Sequence, residues 1–214
     1  MLILVRHGES AANAAGLVLG RSESPLTARG EAQAQVLGSV LARQLPTAVG
    51  AVRVVSSPLG RARETAAALG LAVPVVDERW VELDFGAYDG YRLTEVPAEV
   101  WRRWREDPHF RPPGGETLAE LGARVRAACD ELFAADGPAR DPEAAVVVVS
   151  HVSPIKAAVA WALGVGDELA WRLHLSTGSL TRIGWGREGP VLHAYNVVPE
   201  PDGARISGRF RRAR

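Results

Sequence analysis

The sequence contains very little cysteine and lysine, and each shortage limits what the protein can be. Its 214 residues include a single cysteine, Cys129, which excludes an intramolecular disulfide framework and a cysteine-rich zinc site. We expect Cys129 to be a small buried apolar residue. Lys156 is the only lysine, so arginine supplies nearly all of the positive charge. Because arginine is so common here, one arginine alone is weak evidence for a binding site.

Net charge and long apolar runs are also absent. The chain has 25 basic and 25 acidic residues and a formal charge of zero, so no overall field attracts nucleic acid or a membrane surface. No stretch approaches the roughly 18 apolar residues of a membrane span. The five apolar residues before Arg6 are too few for a signal peptide. The sequence therefore predicts a cytoplasmic protein without nucleic-acid or membrane partners.

Strand-like and helix-like segments alternate along the chain, which is typical of an α/β layer fold. The strands are predicted at residues 2–5, 52–55, 73–76, 144–149, 180–185 and 191–197. Thr27 and Thr117 are predicted to cap helices. Ser-Pro pairs at 57–58 and 153–154 predict two further helix starts. We expect a three-layer αβα sandwich around a mostly parallel sheet.

The predicted domain organisation is one domain with a small lobe. A chain of this length can bury one core, and we place the single domain at residues 1–204, with a flexible basic tail at 205–214. Residues 80–116 are rich in glycine and proline around one short helix, which is typical of a lobe that covers a site. Within it, Trp101 and Trp104 are expected first as a buried helix stripe and only second as a substrate wall.

Three predicted strand ends carry chemically useful side chains. Arg6-His7-Gly8 follows the first strand, Ser57 and Arg61 follow the second, and His151 follows the strand at 144–149. In open α/β sheets, ligands bind at the carboxyl edge of the strands. Arginine offers bidentate donors and neutral histidine offers a nitrogen lone pair, a combination that suits a phosphate ester.

These residues belong to six segments that resemble, in order, the motifs of the histidine phosphatase superfamily, the phosphoglycerate mutase-like enzymes. The segments are residues 6–9 with Asn13, Gly20 with 24–30, 56–66, 82–90, 114–116 and 149–151. The resemblance covers essentially the whole chain and is greatest to bacterial acid phosphatases and alpha-ribazole phosphatase-type members. Glu23, Tyr88, Asp89 and Val152 depart from the family's usual residues.

The resemblance implies a role for each matching residue. His7 would attack phosphorus and carry the phosphoryl group. Arg6, Arg61, His151 and Asn13 would hold the phosphate oxygens, although Asn13 could also be a simple helix-terminus residue. The two guanidiniums would disfavour imidazolium and keep His7 neutral near pH 7.

The resemblance also implies a proton donor and further substrate contacts. Glu82 would protonate the leaving group and then activate water, with Asp84 as the alternative carboxylate. Gly20 and the backbone N–H of Val152 would contact the substrate. We expect no metal and no cofactor, since arginines supply the positive charge.

Three functions remain open from the sequence. The first is a phosphomonoesterase acting on a small phosphorylated metabolite, the second is a phosphoglycerate mutase using the same phosphohistidine, and the third is a non-catalytic interaction module. The mutases resembled carry a longer insertion between the segments at 82–90 and 114–116, which favours hydrolysis. Residues 91–113 should set the substrate, and a homodimer is left open.

Overall fold

The computed structural model describes residues 1–199 and contains a six-stranded sheet with helices on both faces. The strands are β1 (Leu2–Arg6), β2 (Val52–Ser56), β3 (Val75–Val76), β4 (Ala145–Ser150), β5 (Leu180–Trp185) and β6 (Pro190–Val197). The α-helices are α1 (Ala11–Ala14), α2 (Ala28–Ala42), α3 (Gly60–Ala68), α4 (Ala98–Glu106), α5 (Leu118–Leu132) and α6 (Val152–Leu163). Short 3₁₀ turns lie at Glu78–Trp80, Gly86–Tyr88 and Asp167–Arg172.

The sheet has the strand order β3-β2-β4-β1-β5-β6. The first four strands are parallel, and β5 and β6 add an antiparallel hairpin at one end. Its turn is closed by a 2.7 Å hydrogen bond from the Gly186 N–H to the Gly189 carbonyl. The predicted three-layer sandwich around a mostly parallel sheet is confirmed.

Each face of the sheet has its own apolar core because side chains alternate along a strand. Leu2 and Leu4 of β1 pack with α5 and α6, whereas Ile3 and Val5 pack with α2 and α3. Every residue of β4 is buried, as expected for a central parallel strand covered on both faces. Cys129 lies in the first core, where burial raises the pKa of its thiol. Its predicted role as a small buried residue is confirmed.

Two of the four predicted helix starts are confirmed and two are wrong. The Thr27 and Thr117 side chains accept hydrogen bonds from the N–H groups three residues later. However, α3 begins only at Gly60, and α6 begins at Val152, one residue before the predicted serine cap. The Ser57 hydroxyl is instead in a hydrogen bond with a histidine from a neighbouring strand end.

The predicted lobe is built around one buried tryptophan. Trp104 is 1% exposed and packs with Val18, Val96, Val100 and Phe110 in a third apolar cluster. The expected buried stripe is therefore confirmed for Trp104. No helix within residues 1–199 has the length and apolar character needed to cross a bilayer. The predicted tail at 205–214 and the end of the predicted domain lie outside the described residues.

Gly38 allows α2 and α3 to pack closely. A Cβ atom there would lie 2.4 Å from the Leu69 carbonyl oxygen. Gly38→Ala should therefore lower the free energy of unfolding by about 1–3 kcal/mol through overpacking, although alanine is the better helix former. Urea denaturation would measure the change. The exposed Gln35→Ala on the same helix is the control and should change stability by less than about 0.5 kcal/mol; a stabilised Gly38→Ala protein would contradict this packing argument.

Candidate active site

Three neighbouring parallel strands end at the same edge of the sheet. β1 pairs with β4 so that Arg6 lies beside Ser150, and β2 pairs with the other side of β4. His7, His151 and Ser57 therefore follow directly after three adjacent strand ends. This is the carboxyl edge, at which ligands bind in sheets of this type.

His7 is held in one orientation by its own turn. It is 3% exposed, and its Nδ1 lies 2.7 Å from the Gly8 carbonyl oxygen. Because a carbonyl can only accept, Nδ1 carries the proton and Nε2 keeps the lone pair. Burial, followed by the charges of Arg6 and Arg61, holds the pKa of His7 well below its usual value of 6.5. The ring is thus neutral near pH 7 and has one nucleophilic nitrogen.

His151 lies beside His7 and is fully buried. The two ring centroids are 5.0 Å apart. The Nε2 atom of His151 shares a 2.7 Å hydrogen bond with the Ser57 hydroxyl, while its Nδ1 is buried without a partner among residues 1–199. Burial and the nearby positive groups also hold the pKa of His151 well below 6.5.

Arg6 and Arg61 place two positive charges next to the histidines. Arg6 donates to the Leu175 carbonyl at 2.5 Å, and Arg61 donates to the carbonyls of Gly20 and Ser22 at 2.6 and 2.9 Å. In the described part of the chain, the Nε atoms of both arginines are buried without a partner. Burial lowers the pKa of Arg6 to about 10, so it stays protonated near neutral pH. Buried, charged N–H donors are therefore available for an acceptor from a ligand.

Two carboxylates hold the loop that receives Arg61. Asp89 accepts the N–H groups of Gly20 and Ser22 at 2.8 and 2.9 Å. Glu23 accepts the N–H of Gly60, at the start of α3, at 3.0 Å. Asp89 and Glu23 both anchor the backbone around Arg61.

Glu82 is fixed by backbone donors. It is 4% exposed, and its Oε1 accepts the N–H groups of Leu83 and Ser153 at 2.8 and 3.1 Å. Its Oε2 accepts the N–H of Val152 at 3.1 Å. Val152 and Ser153 begin α6, where N–H groups lack intrahelical partners and the helix dipole is positive. The carboxylate is thereby oriented at the cavity wall.

A different arrangement surrounds Asp84, the alternative carboxylate. Its Oδ1 accepts the Gly86 N–H at 2.9 Å, and its Oδ2 lies 3.6 Å from the Arg21 guanidinium. The nearby Glu116, in the predicted segment 114–116, pairs with Arg124 at 2.8 Å. Arg124 also donates to the Glu82 carbonyl at 3.3 Å. Asp84 and Glu116 thus support the segment that carries Glu82 and do not line the cavity.

A cavity of about 570 Å³ borders His7. Of the residues predicted for the site, those that line it are Arg6, His7, Asn13, Glu82 and Val152. Arg61 and His151 are completely buried behind this lining. The structure thus brings the predicted groups together but leaves two of the phosphate-binding candidates beneath the cavity surface.

The three predicted substrate-binding residues have different surroundings. Asn13 lines the cavity and also forms a capping box with Ser10 at α1, so both interpretations made from the sequence describe its position. The Val152 side chain lines the cavity, but its N–H donates to Glu82. Gly20 lies off the cavity and contacts Arg61. The substrate contacts proposed for all three stay predictions.

Several cavity residues were missed by the sequence analysis. Lys156, Trp171 and His174 line the cavity. Lys156 lies one helical turn beyond Val152, so helical spacing from the site could have indicated it. Trp171 and His174 carry no such signal because only the folded chain brings their segment to the site. Trp101 also lines the cavity, the position that its second interpretation, as part of a substrate wall, requires.

No arrangement of three or more His, Cys, Asp or Glu side chains within residues 1–199 could hold a metal ion. The expectation that the reaction needs neither metal nor cofactor stays a prediction.

Comparison with known proteins identifies relatives along nearly the whole chain. The family model described as histidine phosphatase superfamily (branch 1) matches residues 2–198. A probable phosphoglycerate mutase of Yersinia enterocolitica is 35% identical, covering 92% of this chain and 90% of that protein. A bifunctional protein of Mycobacterium tuberculosis is 39% identical over 84% of this chain. The present chain spans about half the length of that relative, 49%.

Solved structures show the same fold. The alpha-ribazole phosphatase from Shigella flexneri superposes with a TM-score of 0.74 at 27% identity, and the match covers 92% of this chain and 96% of that one. The named relatives thus include a probable mutase and a phosphatase.

The depressed pKa of His7 predicts a pH dependence of stability. Below pH 6.5 the unfolded chain protonates this histidine while the folded chain does not, so stability should fall as the pH falls below 6.5. His7→Gln should reduce that dependence by up to about 1.4 kcal/mol per pH unit. Urea unfolding from pH 7.5 to 5 would measure it. The exposed His109→Gln is the control, and equal slopes for the wild type and His7→Gln would contradict the prediction.

Proposed function

Because this chain belongs to the histidine phosphatase superfamily, we propose that it hydrolyses small phosphorylated metabolites through a phosphohistidine formed on His7. One observation carries the proposal: a neutral, oriented His7 lies among the buried, unpaired nitrogens of Arg6, Arg61 and His151. A phosphate dianion supplies the acceptors that such donors lack.

In the first step, Nε2 of His7 attacks phosphorus as the bond from phosphorus to the leaving oxygen breaks. Arg6, Arg61 and the Asn13 amide donate to the oxygens on which negative charge collects. If the Ser57 hydroxyl donates to Nε2 of His151, then Nδ1 of His151 carries a proton and donates as well. Arg6 lines the cavity, whereas Arg61 and His151 lie beneath its surface, so a local shift of the lining must open them to the phosphate.

Glu82 is the proposed proton carrier. It gives a proton to the departing alkoxide in the first step. In the second step it takes a proton from the water that attacks the phosphohistidine, which releases inorganic phosphate and restores His7. The three N–H donors fix the carboxylate at the cavity wall, and a positioned acid contributes roughly 10²–10⁴-fold. Val152 and Gly20 act in this scheme by orienting Glu82 and Arg61.

A mutase is the second candidate, favoured by the 35% identity to a probable phosphoglycerate mutase. In that reaction a second substrate oxygen, instead of water, accepts the phosphoryl group. The short segment between Glu82 and residue 114 favours hydrolysis.

Cytoplasmic location and a homodimer are further expectations from the sequence.

The first prediction from this mechanism is that His7→Ala abolishes turnover of p-nitrophenyl phosphate. Wild-type enzyme quenched during turnover of ³²P-labelled substrate should carry acid-labile label on His7, with EDTA present throughout. Label recovered on serine or aspartate, or activity lost to EDTA and restored by Mg²⁺ or Zn²⁺, would refute the mechanism. Conversion of 3- to 2-phosphoglycerate faster than phosphate release would identify the mutase.

The second prediction separates the acid role of Glu82 from its structural role. Glu82→Gln cannot donate the required proton, so the burst of His7 phosphorylation should fall at least about 10²-fold for an alkyl phosphate. It should fall much less for p-nitrophenyl phosphate, whose anion leaves unaided. Rapid-quench measurements on both substrates give the comparison. Asp84→Asn is the matched control and should affect both bursts equally and weakly. Equal losses for the two substrates in Glu82→Gln would move the acid role to another residue.

A further inference from the structure

The cavity beside His7 is much larger than a phosphoryl group needs. Its volume is about 570 Å³. Pockets that enclose drug-sized ligands have volumes of about 300–1,000 Å³. Beyond the residues assigned to phosphoryl transfer, most of the lining is apolar. Leu17, Leu93, Trp101 and Trp171 are among these apolar lining residues.

Two of these residues form an aromatic wall from separate parts of the chain. Trp101 lies on α4, and Trp171 lies on the 3₁₀ turn Asp167–Arg172. Their ring centroids are 6.2 Å apart and their planes are at 82°, an edge-to-face arrangement. Both side chains are only half-buried, so ring surface is available to a ligand in the cavity.

Trp101 is held in place from two directions. Its indole N–H donates to the Leu93 carbonyl at 3.3 Å. Its ring packs 5.3 Å from that of Trp104, which in turn makes edge contacts with Phe85 and Phe110. Because this cluster is buried, the Trp101 ring loses little further freedom when it meets a ligand.

Polar contacts fix Trp171 through its turn. The Lys156 ammonium donates to the Ala170 carbonyl at 2.8 Å. Arg126 pairs with Asp167 at 2.6 Å, at the start of the same turn. The backbone of Trp171 is therefore fixed. Its turn is far in sequence from the lobe that carries Trp101. A rigid aromatic pair of this kind selects for flat or bulky apolar groups.

We propose that the cavity binds the alcohol portion of the substrate, and that the substrate is a phosphate monoester whose leaving group carries an aromatic ring or an apolar group of similar size. Trp101 and Trp171 are the specificity-determining residues. The inference rests on the proposed function, because a phosphoryl group at His7 directs the leaving group into this cavity. Small, fully polar phosphate esters would leave the apolar wall in contact with water.

The test compares propyl phosphate with 3-phenylpropyl phosphate, whose alcohols have similar acidity and make the same demand on the proton donor. Wild-type enzyme should prefer the phenylpropyl ester by about 30-fold or more in kcat/KM. Trp101→Ala and Trp171→Ala should each lower that ratio by about tenfold. Trp185→Ala is the matched control: Trp185 is 38% exposed and stacks on Phe133 away from the cavity, so the ratio should be unchanged.

A binding measurement keeps the inference independent of turnover and of how well the variants fold. Calorimetry on the wild type should show 4-phenylbutylphosphonate binding at least about tenfold more tightly than butylphosphonate. If no ester is hydrolysed but this preference is found, the proposed function fails and the aromatic site stands. If both esters are hydrolysed at similar kcat/KM and the phosphonates bind alike, the inference is overturned and the proposed function stands. Phosphoserine as the better substrate would also overturn it.

Discussion

The parallel pairing of β1 with β4 fixes the distance between the two histidines, and the other site residues are positioned around that pair. Since Arg6 lies beside Ser150 in the register, His7 and His151 leave the sheet side by side at the same edge. Their rings are 5.0 Å apart. A slip of one residue in this pairing would send His7 or His151 to the other face. The fully buried β4 resists such a slip, because every one of its side chains has a place in a core.

The same edge of the sheet carries unusual energetic burdens. Two arginines and a histidine there have buried nitrogens without partners in the described chain, and an unpaired buried polar group destabilises the fold by about 1–3 kcal/mol. Local arrangements that weaken the fold are typical of functional sites. An anion that reaches these donors would supply the acceptors that the arginine nitrogens lack.

The cavity has two chemically different parts. Its floor near His7 carries charge and hydrogen-bond donors, which suits a phosphoryl group. Trp101 and Trp171 face the remaining space, and each is held by contacts of its own. The sequence predicts that residues 91–113, which include Trp101, set the substrate. The proposed aromatic site adds the segment around Trp171 to that role, and Lys156 links this segment to the helix that follows His151.

The sequence alone determined the elements that depend on local order. Apolar runs located the strands, and Thr27 and Thr117 located two helix starts. The places of His7, Arg61 and His151 after predicted strands, together with the motif resemblance, identified them as candidates. Tertiary structure alone decided which partner each polar group found. Ser57 pairs with His151 and does not cap a helix, because two strands far apart in sequence end side by side.

The same distinction applies to the rest of the site. The Val152 N–H meets Glu82 because α6 points its first turn at the segment after a 3₁₀ turn. Trp171 meets Trp101 only once the lobe has packed against the turn that follows α6. Spacing along the chain encodes neighbours within one helix or strand. Contacts between elements depend on the packing of side chains that are distant in sequence, so only the folded molecule specified them.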